Sequence, residues 1–221
     1  MREKKGTVRG FGINDVDYQI QIKQELPKVD GKRKQKVIWT CPYYARWKHM
    51  INRVYSEKEL IKFPTYIGCS VSLEWKYLSD YKRWMEKQNW EGCVLDKDIL
   101  VKGNKEYGPN TCCFVPENLN YILMDSKASR GDLPLGVTKA YNREGFIAAM
   151  SRGKEPHYLG YFKSVSGAHK AWQKAKADFI EESVQLWYGS PSYRPDVADA
   201  LLKRSWQISL DRINDKETID F

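Results

Sequence analysis

Apolar residues recur at intervals of three and four in two segments of the first half of the chain, and this spacing predicts amphipathic helices. In CPYYARWKHMINRVYS the predicted apolar face consists of Tyr43, Trp47, Met50, Ile51 and Val54. In SLEWKYLSDYKRWMEKQNW it consists of Trp75, Leu78, Tyr81, Trp84 and Met85. Because lysines and arginines crowd the remaining positions, each helix is expected to bury one face and expose a basic one.

Short segments of alternating polar and apolar residues predict strands on either side of these helices. Residues 1–40 alternate around the very polar PKVDGKRKQK, which predicts a β-hairpin with a basic, exposed loop. After the second helix, the consecutive segments CVLDKDIL, GNKEYGPN, TCCFV and PENLNYILMDSK predict a strand, a loop, a strand and a helix.

The second half combines three short strands with two helices. Residues 136–162 contain three strand-like segments separated by the turn formers NREG and RGKEP. The following helix is expected to bury Ala168, Ala171, Trp172, Ala175 and Phe179. In the last predicted helix, RPDVADALLKRSWQISLDRI, the apolar residues expected to be buried against the rest of the protein are Val197, Leu201, Leu202 and Ile208. Strands and helices in separate runs predict the α+β fold class.

A small, charged segment that ends in proline, SKASRGDLP, predicts a domain boundary. The chain is accordingly divided into an N-terminal β-rich segment (1–40), a core (41–125), a linker (126–133), a compact sheet-and-helix module (134–182) and a C-terminal helical extension (183–221). A length of 221 residues suffices for two such small cores.

Charge and composition narrow the classes of partner and location. The 37 lysines and arginines exceed the 28 acidic residues, and the net charge of +9 favours a polyanion such as double-stranded DNA. An aromatic content of 13% excludes a disordered basic tail. The first residues, MREKKGTVRG, lack an apolar leader, and no segment approaches the roughly 20 apolar residues of a membrane span. An intracellular, cytoplasmic location is therefore expected, without a membrane partner.

The cysteines indicate neither a disulfide framework nor a zinc ribbon. Their number is odd and no CxxC pair occurs, which fits a reduced cytoplasm. Structural zinc needs ligands that are close in sequence, whereas these are mostly far apart. A role as small buried groups is preferred to zinc for Cys41, Cys69, Cys93, Cys112 and Cys113.

The segment LDKDILVKGNKEYGPNTCCFVPENLN carries the most specific pattern in the chain, formed by Asp96, Lys97, Tyr107, Pro109, Cys112 and Asn120. Upstream elements extend it through Trp47, Met50, Arg53, Tyr55, Cys69, Glu74 and Trp75. With these residues, positions 40–125 resemble the HNH endonucleases of the phage homing-endonuclease type. The resemblance implies a ββα-metal core that hydrolyses DNA phosphodiester bonds with a single divalent ion, in a phage-infected bacterial host.

The residues of this segment also suit metal chemistry in their own right. A carboxylate on a strand and an amide on a facing helix can supply hard ligands to Mg²⁺ or Mn²⁺ and leave positions open for a scissile phosphate. Asp96 and Asn120 are the expected metal ligands. The family's second asparagine is displaced here, because Thr111 occupies the matching position and Asn110 precedes it.

Lys97 is the main departure from the family, which has a histidine base at this position. The flanking carboxylates of Asp96 and Asp98 favour a charged ammonium, so Lys97 is a poor general base unless burial lowers its pKa. Lys97 is then expected to hold a phosphate, with Asp98 or a metal-activated water taking over the activation. The alternative is a ββα scaffold that has lost catalysis and serves a DNA-binding or regulatory protein.

Residues 134–180 carry a second resemblance, through Gly136, Val137, Phe146, Leu159, Gly160, Phe162, Ala168 and Ala171. Their order resembles the AP2 DNA-binding domain, which implies a three-stranded sheet in the major groove and one bracing helix. Positions that carry arginine in the plant domains are Thr138, Ala140 and Ser151 here, so the base contacts are not carried over. DNA contacts, mainly to phosphate, are expected from Lys139, Tyr141, Arg143, Arg152, Lys154 and Tyr158.

Overall fold

The computed structural model describes residues 7–29, 32–123, 131–153 and 155–220. It has the expected α+β class, with several small sheets and six helices among the described residues. The chain forms two compact units. Unit 1 comprises Met1–Gln88 and Asn104–Cys112, and unit 2 comprises Asn89–Gly103 and Cys113–Phe221. The segment boundaries expected from the sequence stay predictions, and residues 124–130 of the core and linker lie outside the described part.

The strands in chain order are β1 (Thr7–Val8), β2 (Gly12–Ile13), β3 (Gln21–Val29), β4 (Lys32–Thr40), β5 (Ser70–Val71), β6 (Cys93–Asp96), β7 (Glu106–Tyr107), β8 (Cys113–Pro116), β9 (Val137–Lys139), β10 (Phe146–Arg152) and β11 (Glu155–Phe162). The helices are α1 (Pro42–Tyr55), α2 (Glu57–Lys62), α3 (Leu78–Met85), α4 (Glu117–Asn120), α5 (Val165–Trp187) and α6 (Pro195–Ile213). Short 3₁₀ turns occur at Pro64–Tyr66, Leu73–Trp75 and Tyr121–Leu123.

The strands pair mostly as antiparallel neighbours. β1 pairs with β2, β3 with β4 and β6 with β8, while β5 and β7 form a short parallel pair. The largest sheet has the order β11-β10-β9 and is antiparallel throughout. The predicted N-terminal hairpin is thus confirmed as β3–β4, but the loop predicted over PKVDGKRKQK is wrong, because residues 27–29 belong to β3 and residues 32–36 to β4. The three strands predicted within residues 136–162 are confirmed as β9 to β11.

Unit 1 is organised around α1 and α3. The predicted apolar face of α1 is confirmed for Trp47, Met50, Ile51 and Val54, but its first buried residue is Tyr44, because Tyr43 is only partly buried. The second helix is shorter than predicted and starts at Leu78.

Two hydrogen bonds explain this late start of α3. The indole Nε1 of Trp47 donates to the carbonyl of Trp75 at 2.8 Å, and the amide of Ser79 donates to Asp15 Oδ1 at 3.0 Å. In a continuous helix the Ser79 amide would bond to the Trp75 carbonyl. Because both groups have other partners, the chain makes a 3₁₀ turn at Leu73–Trp75 and begins a new helix after it.

Unit 2 is built on α5, whose 23 residues span about 34 Å. The first half of α5 packs Ala168 and Trp172 against the β9–β11 sheet. Its second half, with Ile180, Val184 and Trp187, packs against α6 and the β6–β8–α4 segment. One helix therefore contributes to three apolar clusters, two against the sheet and one against α6 and the β6–β8–α4 segment. No helix in the described part of the chain is long and apolar enough to cross a membrane.

The cysteines are all free thiols, and four of them are buried: Cys41, Cys93, Cys112 and Cys113. Cys113 contributes to the apolar cluster of unit 2 together with Val115 and Leu119. These thiols pack as small apolar groups, as the sequence predicted.

Candidate functional site

The strands β6 and β8 pair antiparallel, and the chain turns sharply where β6 ends, at Asp96. The register pairs Asp96 with Cys113 and Cys93 with Pro116, and α4 follows β8 directly. The predicted order of strand, loop, strand and helix is therefore confirmed. The strand predicted over CVLDKDIL is wrong beyond Asp96, however, because the chain turns there.

The turn is stabilised by the carboxylate of Asp96, which is only 9% exposed. Its Oδ1 accepts the backbone N–H of Asp98 at 2.8 Å and that of Ile99 at 2.7 Å. Burial raises the pKa of Asp96, and these two N–H groups oppose the rise. Among the described residues Oδ2 has no hydrogen bond, so one carboxylate oxygen is committed to the turn and the other is available to a ligand.

Lys97 follows Asp96 and is 6% exposed. Its Nζ lies 2.5 Å from Asp98 Oδ1, and the carboxylate side chain of Asp98 is 47% exposed. The ion pair and the burial of its side chain fix the position of the Lys97 Nζ beside the Asp96 turn.

Arg204 of α6 completes this turn and was missed at the sequence level. Its guanidinium donates to the carbonyls of Asp98 and Ile99, each at 2.6 Å, and to that of Ala200 at 3.0 Å. Burial lowers the pKa of Arg204, while the carboxylates of Asp96 and Asp98 act in the opposite direction. Asp98 and Ile99 therefore each donate a backbone N–H to Asp96 and accept through their carbonyl from Arg204, so the turn is held on both sides.

A signal for Arg204 was present in the sequence. Val197, Leu201 and Ile208 are buried at helical spacing, and Arg204 lies three residues after one and four before another on the same stripe. Leu202, which was expected to be covered, is 41% exposed because it falls off this stripe. A cation inside an apolar stripe indicates buried acceptors facing it.

The two asparagines of the predicted site are separated by the division into units. Asn120 is partly buried at the end of α4, a helix that packs on both β6 and β8 in unit 2. Asn110 belongs to unit 1 and is exposed in the turn after β7. Asn120 therefore belongs to the same unit as Asp96, Lys97 and Asp98, whereas Asn110 belongs to the other unit.

The donors in unit 2 fit a hard divalent ion that keeps most of its water. Asp96 Oδ2 and the Asn120 amide oxygen are ligands that Mg²⁺ accepts, and Mg²⁺ is commonly held through one or two protein ligands plus substrate phosphate. No cluster of three or more His, Cys, Asp or Glu side chains able to hold a metal occurs in the described ranges. The cations of Lys97 and Arg204 act on the same carboxylate and would weaken its hold on a metal.

The β9–β11 sheet presents two different faces. Val137, Ala148 and Met150 lie on the face that packs against α5, with Leu159 and Phe162 partly buried beside them. The side chains on the opposite face, called here the outer face, are Thr138, Ile147, Ala149, Ser151, Pro156, Tyr158 and Tyr161. The predicted three-stranded sheet with one bracing helix is confirmed.

The residues predicted to bind DNA occupy different parts of this sheet. Tyr158 is 60% exposed on the outer face, and Tyr141 is 97% exposed in the β9–β10 turn. The Arg143 guanidinium lies 3.6 Å from the ring centroid of Tyr161, whose hydroxyl donates to the Glu144 carbonyl. Lys139 is exposed at the end of β9.

Two members of that predicted set stand apart. Arg152 bonds to Glu182 of α5 at 2.9 Å, and its guanidinium lies 5.0 Å from the ring centroid of Phe179. Its charge is therefore engaged on the α5 side of the sheet. Lys154 lies outside the described residues.

No protein-family model, no curated protein and no solved structure matches this chain. The likeness to HNH and AP2 proteins consequently rests on the residues quoted above.

Proposed function

We propose that this protein binds double-stranded DNA through the outer face of the β9–β11 sheet. The observation that carries the proposal is an exposed tyrosine on that face, Tyr158, together with the exposed Tyr141 and the Arg143–Tyr161 stack at the β9–β10 turn. Strands can enter the major groove of duplex DNA, and arginine and tyrosine side chains are common phosphate donors.

The side chains between these groups suit a close approach of DNA. Thr138, Ala149 and Ser151 are small, so the backbone of the outer face can come near a nucleic-acid surface without long side chains intervening. Stacking on Tyr161 fixes the direction of the Arg143 guanidinium, which reduces the side-chain entropy lost when it binds a phosphate. Arg152 is not part of the proposed surface, because its guanidinium already forms an ion pair with Glu182.

A matched pair of arginine substitutions tests this surface. Arg143→Gln and Arg152→Gln each remove one positive charge from the same sheet, but only the first removes it from the outer side. We expect Arg143→Gln to weaken binding to several unrelated duplexes by similar factors, as phosphate contacts do. Arg152→Gln should stay close to wild type. Equal losses in both variants, measured by fluorescence anisotropy, would mean that only net charge matters and that the outer face is not the binding surface.

A second candidate function, hydrolysis of DNA phosphodiester bonds, is favoured by the Asp96 turn. In this proposal Asp96 Oδ2 and Asn120 hold the divalent ion, which would polarise the scissile phosphate when bound. Lys97 contacts a non-bridging phosphate oxygen, and Asp98 orients that ammonium through its short ion pair. Arg204 keeps the turn peptides, and hence Asp96, in place. The chain would then be an HNH-like endonuclease with an AP2-like DNA-binding sheet.

Plasmid nicking with Mg²⁺ or Mn²⁺ tests the second candidate. Asp96→Asn retains the Oδ1 acceptor that the turn needs and removes the charge, so it should abolish nicking and leave DNA binding nearly intact. Asp199→Asn, which changes an exposed carboxylate of α6, is the matched control and should nick like wild type. Lys97→Arg should keep measurable activity and Lys97→Ala should lose much of it, since a fixed cation can be replaced by another cation.

Lys97→His distinguishes the active enzyme from the inactive scaffold. Imidazole titrates near neutrality, so this substitution should raise the nicking rate if the rest of the site is competent. If wild type and Lys97→His both fail to nick specific and random DNA, the enzyme proposal fails. The DNA-binding proposal is tested separately by the Arg143 pair and would stand.

A further inference from the structure

The β3–β4 hairpin of unit 1 exposes every side chain that the structure describes at positions 22–27 and 34–39. Its two nine-residue strands form a ribbon about 30 Å long. Five apolar side chains of this ribbon are between 39% and 55% exposed: Ile22, Leu26, Val37, Ile38 and Trp39. An isolated two-stranded hairpin is only marginally stable in water, and a group of exposed apolar residues marks an interaction surface.

The register of the ribbon separates its two faces. Ile22 pairs with Trp39, and Leu26 pairs with Lys34. Between them Gln24 pairs with Lys36 on the same face, because alternate residues of a strand point the same way. We call this surface the Trp39 face. Apolar groups and lysines alternate along it, and the acidic Glu25 points to the opposite face.

The charge of the hairpin identifies the chemical class of its partner. Residues 21–40 contain six lysines and arginines and two acidic residues, so the net charge of the segment is +4. A positive ribbon attracts a polyanion and repels other basic surfaces, including a second copy of itself. Its apolar side chains need a partner that also offers apolar groups, which duplex DNA does through base edges and thymine methyls.

We infer that the β3–β4 hairpin is a second DNA-binding element, which enters the major groove with its Trp39 face toward the duplex. The major groove is about 12 Å wide and admits a two-stranded ribbon. In this position Lys34 and Lys36 bind phosphates, while Ile22, Leu26 and Trp39 contact base edges. The inference does not depend on the β9–β11 surface, since it rests on different residues in the other unit.

Salt dependence measures the lysine contacts directly. Replacing Lys34 and Lys36 by glutamine should flatten the log–log dependence of DNA affinity on salt by about 1.8, at about 0.9 for each lost phosphate contact. The control replaces Lys58 and Lys62, two exposed lysines of α2, and changes net charge equally. If both double variants show the same slope and affinity, the hairpin inference is wrong. Because the hairpin lysines are exposed, both proteins should fold like wild type, which circular dichroism checks.

Lysine acylation of the full-length chain, read by mass spectrometry, locates the contact. A random-sequence duplex should protect Lys34 and Lys36 and leave Lys58 and Lys62 reactive. Protection of the hairpin lysines at high protein concentration without DNA would overturn the inference in favour of contacts between copies of the chain. The Arg143→Gln variant keeps the two proposals distinct: if it binds like wild type while the hairpin lysines remain protected, the sheet proposal fails and the hairpin inference stands.

Discussion

Arg204 shows how one side chain can organise the candidate site without touching a substrate. Asp98 and Ile99 donate their backbone N–H groups to Asp96, and their carbonyls accept from Arg204. The backbone polar groups of both residues are therefore satisfied, although the turn is largely buried. A buried arginine is stable only with such partners, because guanidinium desolvation is costly.

We expect Arg204→Met to destabilise the protein by about 3 kcal/mol, because it leaves buried carbonyls without donors. The matched control is Lys203→Met on the same helix, because the side chain of Lys203 is 74% exposed and pairs with the exposed Asp199. That change should cost less than about 1 kcal/mol. Urea unfolding gives both values. Equal losses would show that the Arg204 contacts do not stabilise the turn.

His49 of α1 provides a test of pH dependence. Burial lowers its pKa below 6.5, and the neighbouring Arg53 lowers it further, with Glu59 acting in the opposite direction. The unfolded chain therefore binds a proton more readily than the folded chain, so stability should fall as the pH drops from about 6.5 toward the lowered value. The effect should be small, since a large part of the His49 side chain remains in contact with solvent despite this partial burial. His49→Gln should remove this part of the pH dependence in unfolding experiments between pH 5 and 7.

Helical periodicity predicted α1, α5 and α6 because one face of each is apolar over several turns. It failed where long-range polar contacts decide the backbone. The break before α3 depends on Trp47 and Asp15, and the turn after β6 depends on Arg204, more than 100 residues away in sequence. Local spacing does not identify such partners, although the place of Arg204 in an apolar stripe indicates that it has buried acceptors. The sequence also did not predict that the two halves of α5 pack against different elements. One amphipathic pattern does not specify which element covers each half of a helix.

Gly136 tests how tightly the sheet packs on α5. Its φ of +75° suits glycine, and a Cβ there would lie 1.9 Å from the Cδ1 atom of Trp172. Gly153 has a similar φ of +69°, but a Cβ would meet nothing within 4 Å. Gly153→Ala should therefore cost only the backbone strain, about 1–2 kcal/mol. Gly136→Ala should cost more, by about 1–3 kcal/mol of overpacking. Equal losses on thermal unfolding would contradict the packing of Trp172 against this turn.

At the scale of the whole molecule, the net charge of +9 lies on several surfaces. The structure changes which of these surfaces we expect to bind DNA. The sequence predicted a basic, exposed loop at residues 27–36, but most of this segment belongs to β3 and β4. The alternating face of the hairpin became visible only from the register of the two strands. Conversely, Arg152 looked like a DNA contact in the sequence, and the structure pairs it with Glu182. The net charge predicts that the partner is a polyanion. Ion pairs within the fold determine which lysines and arginines are left to bind that partner.

The last prediction concerns the salt dependence of DNA binding when both proposed surfaces, the outer face and the β3–β4 hairpin, are changed together. Deleting residues 134–180 would be uninformative, because the deletion also removes the first part of α5. That part includes Ala177 and Ile180, which pack against α6 and the β6–β8 segment. Point substitutions avoid this loss. Arg143→Gln should flatten the salt slope by about 0.9, the Lys34 and Lys36 double variant by about 1.8 and the triple variant by about 2.7, since each contact releases its own counterions. Titrations of one duplex at several salt concentrations give the slopes. A triple variant whose slope equals that of the double variant would show that the two surfaces do not bind DNA at the same time.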